Sequence, residues 1–327
     1  MNRTADSSKV SIVISVYNEH DSLHELHKRI TDALGKLDNL DFELIYVNDG
    51  STDDSFPIIK GFVEQDARIR LVNLARNFGH EIAMTAGLDY SSGDCVIFMD
   101  ADLQHPPDFL QQMIHEWLSG KDIVLTRRID NPDVSWFSKL KSKMFYKLLN
   151  ALSDFPVPSQ FPDFRLIDRK YADVVKKMKE NNRMFRGLIS WLGIKNQVII
   201  DFEAQPRFAG KSKYGTKKLI SLALNSIISF SIKPLRIASY IGIIAALVSI
   251  VLGIIFTIDF LTSETYQFTG YGTTIIMIIF IGSVQLIVLG IIGEYLGRIH
   301  IEVKNRPLYV AELFLNDSIV QNQQDNK

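Results

Sequence analysis

Two stretches of this sequence carry no charged side chain, Ile237 to Ile258 over 22 residues and Thr273 to Gly293 over 21, and no other feature limits the fold as sharply. As helices, at roughly 1.5 Å per residue, each spans about 30 Å, the thickness of a bilayer's hydrocarbon. Core helices of soluble proteins rarely stay uncharged for so long, so both stretches are read as transmembrane. Lys217, Lys218, Lys233 and Arg236 precede the pair, Arg298, Lys304 and Arg306 follow it, and the loop from Asp259 to Gly272 holds no Lys or Arg. Positive flanks stay inside, which predicts a multi-pass protein of the cytoplasmic membrane with both ends in the cytoplasm. Just before the first span, Leu219 to Ser231 is apolar and follows two lysines. It either lies along the membrane surface, lysines at anionic headgroups, or belongs to the core of the preceding domain.

At 327 residues the chain has room for one full-sized domain and something smaller. The expected division is a cytoplasmic catalytic domain over 1–215, an amphipathic juxtamembrane segment over 216–236, the hairpin over 237–293, and a cytoplasmic C-terminal segment over 294–327 ending in a polar, disordered tail. With 36 basic against 37 acidic residues, no long-range field draws the molecule to nucleic acid, and none is expected as a partner. The single cysteine, Cys95, excludes an internal disulfide or a CxxC metal site and suits a reducing compartment. Met1 to Lys9 is polar and Val10 to Val16 is too short for a secretory signal, so the N-terminus is expected to stay inside.

The first 126 residues alternate two kinds of segment. Val10 to Val16, Phe42 to Val47, Arg70 to Leu74, Cys95 to Met99 and Asp122 to Thr126 are short apolar runs that read as buried strands. Between them, Leu23, Leu26, Ile30, Leu34 and Leu37 form a helical stripe, and a helix from Pro107 carries Leu110, Met113, Ile114 and Trp117 on one face. This alternation predicts a mostly parallel α/β sheet with ligands at the carboxyl ends of its strands. The stretch from Arg127 to Arg207 is irregular apart from a helical segment, Arg169 to Lys179, and its topology is not legible.

Polar clusters follow the strands where such a site belongs. If the extended backbone continues past Met99, its period of two aims Asp100, Asp102 and Gln104 to one side, a set of oxygen ligands suited to Mg²⁺ or Mn²⁺. Tyr17, Asn18 and Glu19 follow the first strand. Asn48, Asp49, Gly50 and Ser51 follow the second. Asp49 and Glu19 suit the base and ribose of a nucleotide, although Asp49-Gly50-Ser51 by itself is equally a turn with a helix N-cap. Neither GxGxxG nor a P-loop is present.

In order along the chain, SVYNE, VNDGSTDDS, ARNFGH and MDADLQHPP resemble family 2 glycosyltransferases of the GT-A fold. PDFRLIDRK, RFAGKSKYG and the paired spans narrow the resemblance, over about residues 9 to 310, to the polyprenyl-phosphate glycosyltransferases, relatives of dolichyl-phosphate mannose synthase and the prophage-type bactoprenol glucosyl transferases. The resemblance implies a Rossmann-like GT-A domain followed by amphipathic surface helices and a transmembrane hairpin. It implies that Tyr17, Asn18, Glu19 and Asp49 grip the nucleotide, that Asp100, Asp102 and Gln104 bind the metal, and that Arg207, Ser212 and Lys213 close over phosphates. It places a catalytic base on Asp163, with Arg165 beside it, and implies association into a homo-oligomer such as a tetramer.

A phosphomonoester is mostly ionised at neutral pH, its second pKa being near 6, so a lipid phosphate hardly needs that base. Asp163 then either positions Arg165 or the acceptor, or belongs to a structural ion pair. Arg127 and Arg128, after the last strand, either hold the acceptor phosphate or form a solvated basic edge. The expected activity is inverting transfer of one sugar from a nucleotide-sugar, UDP-glucose or UDP-N-acetylglucosamine, to polyprenyl phosphate. Its rivals are a processive polysaccharide synthase, disfavoured by two spans and no Arg-Trp pair, and a non-catalytic scaffold.

Overall fold

The computed structural model describes residues 3–37, 39–129, 161–181, 183–203, 233–262 and 271–316. The sequence runs become strands β1 (Lys9–Val16), β2 (Asp41–Asn48), β3 (Ile69–Leu74), β4 (Cys95–Asp100) and β5 (Ile123–Ile129). Helices α1 (His20–Leu34), α2 (Ser55–Gln65), α3 (His80–Tyr90) and α4 (Phe109–Leu118) connect them. Branched aliphatic residues fill both faces of the central strands, which is why they read as unbroken apolar runs.

Among the described residues the sheet has eight strands in the order β7-β5-β6-β4-β1-β2-β3-β8. It is mixed. β1 pairs in parallel with β2 and β4, and β2 with β3, whereas β6 (Arg165–Asp168) lies antiparallel between β4 and β5. The chain then forms the expected helix as α5 (Arg169–Lys177), followed by α6 (Phe185–Trp191) and β7 (Gln197–Glu203), so the stretch whose topology was not legible completes the sheet. Helices α1, α2 and α4 pack on one face through Leu26, Phe62 and Trp117. On the other, α3, α5 and α6 bring Ala86, Val175 and Leu188. Gly87 of α3 lies so close to β1 that a Cβ there would overlap the Val13 side chain. Register pairs Ser15 with Asp100 and Val16 with Asn48, which levels the carboxyl ends of β1, β2 and β4 on one rim.

Two helices follow, α7 (Lys233–Thr262) and α8 (Tyr271–Val303), both long and apolar enough to cross a membrane. Leu247 is 58% exposed and Leu286 71%, the opposite of a soluble core. The chain divides into two compact units, the sheet domain and the hairpin. The sequence reading left 294–327 as a trailing segment. Instead α8 continues to Val303, and β8 (Ala311–Leu315) returns to the sheet, antiparallel to β3. Phe314 packs on Tyr90 at 4.5 Å, and Asn316 donates to the Val63 and Ile69 carbonyls. The expected surface segment 219–231 and the tail beyond Asn316 lie outside the described residues.

Candidate active site

The loops after β1 and β2 are built as one piece. Asn18 takes a left-handed φ of 55°, its N–H donates to Ser51 Oγ at 3.0 Å, and its side-chain oxygen accepts from Thr52 N at 2.8 Å. Glu19 N donates to Ser55 Oγ at 3.1 Å, and His20 Nδ1 lies 2.8 Å from Asp53. Asp49 is buried and accepts from the N–H groups of Phe78 and Gly79 at 2.7 and 2.9 Å, which fixes the loop leading into α3. Burial raises its pKa, with those two hydrogen bonds opposing. Gly50 has φ +65°, and a Cβ there would overlap the backbone of Arg76 and Asn77, so the two loops touch only because this residue has no side chain. Tyr17 remains exposed on the rim.

At β4 the structure corrects one expectation. The extended backbone ends at Asp100, and the next residues turn, with Leu103 at φ +62°. A buried leucine in the left-handed region is strained, which places a tensioned turn at the strand end. The three residues therefore do not line one side by strand alternation. Asp102 is largely buried and accepts from Gln104 N at 3.1 Å. Asp100 stays a third exposed, and its N–H donates to His105 Nδ1 at 3.0 Å.

The residue that sequence reading missed is His80. As the first residue of α3, it has Nδ1 2.9 Å from Ser15 Oγ, while Nε2 lies 3.5 Å from Asp100 Oδ1 and 3.7 Å from Asp163 Oδ2. Burial works against its charge, but Asp100 and then Asp163 outweigh it and push the pKa up to about 10. Asp163 in turn accepts from Arg165 at 2.8 Å and Arg186 at 3.2 Å. Burial opposes ionisation there, and the His80 ring beside it together with the two guanidinium groups holds the carboxyl well below the usual range. Glu81, next to His80, accepts from Phe185 N at 2.7 Å. Its signal in the sequence was the motif ARNFGH, which ends on His80 a few residues beyond β3 and to which no role had been attached.

Arg127 forms a bidentate pair with Asp201 of β7, at 2.6 and 2.7 Å, on an exposed edge, and Arg128 beside it is exposed. Arg207, Ser212 and Lys213 lie outside the described residues. Two carboxylates and an amide suit a hard divalent ion held by one or two carboxylates, with water and substrate phosphates filling the shell. Among the described residues no group of three or more His, Cys, Asp or Glu is arranged to hold an ion by itself.

Residues 11–175, half of the sequence, match the glycosyl transferase family 2 profile. The chain belongs to this family. This family 2 glycosyltransferase also matches the GtrB C-terminal hairpin over residues 233–299. It is 39% identical to an uncharacterized glycosyltransferase, YkcC, of Bacillus subtilis, over 92% of this chain and 93% of that protein. It is 38% identical to the bactoprenol glucosyl transferase of Shigella phage SfII, over 93% of this chain and 97% of the relative. Among solved structures, glucosyl-3-phosphoglycerate synthase from Mycobacterium tuberculosis, determined with Mn²⁺, UDP and glucosyl-3-phosphoglycerate, superposes with a TM-score of 0.46 at 18% identity, covering 68% of this chain and 78% of that one. The mixed, mostly parallel sheet flanked by helices is the GT-A fold of this glycosyltransferase family.

Proposed function

We propose that this glycosyltransferase moves one sugar from a nucleotide-sugar, UDP-glucose or UDP-N-acetylglucosamine, to a polyprenyl phosphate at the cytoplasmic face of the membrane. The observation that carries the reading is similarity along almost the whole chain, hairpin included, to a phage bactoprenol glucosyl transferase. The return of β8 to the sheet supports both ends of the hairpin lying on one side of the membrane. A chain that leaves one domain and rejoins it must do so on one side of the bilayer, so the hairpin between crosses an even number of times.

In this reading the nucleotide lies on the rim formed by Tyr17, Asn18, Glu19 and Asp49, where Asn18 and Asp49 shape the cradle. Asp100 and Asp102, with Gln104, would hold Mg²⁺ or Mn²⁺, which supplies positive charge for the departing diphosphate. Arg207, Ser212 and Lys213 enclose the phosphates. Arg127 and Arg128 grip the acceptor, with Arg127 exchanging its Asp201 partner for the lipid phosphate. A phosphate oxygen of the acceptor bonds to the anomeric carbon as the bond to the nucleoside diphosphate breaks, and the electron pair leaves with that group. One displacement inverts the carbon. No proton moves, which agrees with Asp163 being held ionised among His80, Arg165 and Arg186 rather than free to act as a base.

Membranes carrying the protein, given labelled UDP-sugars and undecaprenyl phosphate, are expected to yield one sugar per lipid phosphate. Asp100→Ala and Asp102→Ala should abolish it. A polymeric product would point to a processive synthase, and no product from any donor would point to a scaffold.

A further inference from the structure

We infer that His80 is a positioning residue for the transfer, its ring clamped by Ser15 so that it bridges Asp100 and Asp163 and fixes their spacing. The inference rests on the proposed reaction site. Asp100 ends β4, Asp163 precedes β6, and these antiparallel neighbours bring the two carboxylates to one ring nitrogen, at 3.5 and 3.7 Å. Two carboxylates this close repel each other, and a hydrogen-bond donor between them turns that repulsion into a shared attraction.

The ring cannot simply rotate away. Its other nitrogen is 2.9 Å from Ser15 Oγ on β1, and Ser15 also approaches Asp100 at 3.4 Å. Its backbone is set as firmly, because Asp49 accepts from the two preceding N–H groups, Phe78 and Gly79. His80 thus joins four strand-end clusters, those of β1, β2, β4 and β6, which sequence presents as separate motifs. Acting through Asp100, it governs how that carboxylate meets a divalent ion. Acting through Asp163, it governs the placement of Arg165 and Arg186.

The test compares His80→Ala, His80→Gln and Ser15→Ala in the full-length protein, reading turnover, donor KM and, separately, Mn²⁺ affinity by calorimetry. Loss of an outer partner of a metal-binding carboxylate typically costs about 10- to 100-fold, and a fall in kcat of that size is expected for His80→Ala. Donor KM, read at saturating Mn²⁺, should stay within about 3-fold, because with the ion site filled the loss falls on the transition state. Mn²⁺ should bind several-fold more tightly to His80→Ala, because the ring nitrogen 3.5 Å away no longer competes for Asp100 Oδ1; a role in folding alone would weaken it. His80→Gln keeps an N–H near the Nε2 position and should recover part of the turnover and a near-normal Mn²⁺ affinity. Ser15→Ala should show a milder form of the alanine pattern, and with His80→Gln it carries the test if His80→Ala does not fold. Unchanged turnover and Mn²⁺ affinity, or equal losses in the Ala and Gln variants with weakened Mn²⁺, overturn the inference. If the wild type transfers no sugar to lipid phosphate, the proposed function fails instead, and the Mn²⁺ affinities still decide the role of His80.

Discussion

Asp163 and Arg165 meet at 2.8 Å with side-chain exposures of only 6% and 2%, two residues apart in sequence. The same arginine nitrogen also donates to the Pro162 carbonyl at 2.7 Å, so the guanidinium fastens the segment entering β6 as well as its carboxylate. A short motif is thereby both a structural clasp and a wall of the candidate site.

Removing one member of such a pair leaves a charge enclosed without its closest partner, which typically costs about 3–5 kcal/mol. Arg186 and His80 remain near Asp163, so Arg165→Met is expected at the lower end, about 3 kcal/mol. Denaturant unfolding of the detergent-solubilised protein measures it, and a change below about 1 kcal/mol would show that the pair holds little together.

Glu81 supplies a pH dependence of definite sign. Burial, and after it the neighbouring Asp163, push its carboxyl up to about 7. An acid whose folded pKa exceeds its unfolded value, about 4.3, holds its proton more tightly when folded, so it subtracts stability as pH rises from about 4.3 to about 7. Glu81→Gln cannot ionise and lacks that slope. Melting temperatures across this range should fall for the wild type relative to the variant, and parallel curves would refute the assignment.

Local sequence pattern revealed what local physics controls. The strands β1 to β4, helix α1 and the polar clusters at 17–19, 49–51 and 100–104 follow from apolar runs and periodicity, and they fall on one rim as expected. Three things depended on contacts distant in sequence. β6 inserts antiparallel between β4 and β5, β8 returns to β3 across more than two hundred residues, and His80 gains its meaning only when Asp100 and Asp163 close around it. The extended reading of Asp100 to Gln104 failed for a local reason. Asp102 captures the Gln104 N–H and the chain bends at Leu103, a conformation that a leucine does not advertise.

Gly50 is the point where the loops after β2 and β3 touch. An alanine there meets both a left-handed φ, costing about 1–2 kcal/mol, and overlap with the Arg76 and Asn77 backbone. Gly50→Ala should lower the melting temperature and, by pushing the Phe78–Gly79 amides from Asp49, weaken UDP binding. Calorimetric titration with UDP and a thermal melt read the two effects, and an unchanged UDP affinity would separate this loop from the nucleotide.

Arg127 and Asp201 make a test of the acceptor edge, because their bidentate pair lies in water where such pairs add little to stability. Asp201→Asn should leave the melting temperature unchanged while freeing the guanidinium. If Arg127 grips the lipid phosphate, the KM for polyprenyl phosphate falls. A KM that stays put, or rises, assigns the pair to a solvated edge.

The last prediction concerns β8. This strand covers the edge of β3 through the register Leu71 with Leu315, Val72 with Phe314 and Asn73 with Leu313, and Ala75 N extends the contact to the Val310 carbonyl at 2.9 Å. Tyr309 adds a hydrogen bond to Asp89 at 3.0 Å. β3 leads straight into the loop that Asp49 holds and His80 follows, so β8 braces the candidate site from the side opposite β2. Ending the chain at Pro307 keeps the whole hairpin but uncovers an apolar edge, and unpaired strand edges recruit other chains. The truncated protein should still reach the membrane, yet lose most of its transfer activity and aggregate on solubilisation. Phe314→Asp, which keeps the chain length, should reproduce the activity loss in part. Hydrogen exchange at residues 69–79 would rise in both, and protection equal to the wild type would show that β3 and its loop stand without this strand.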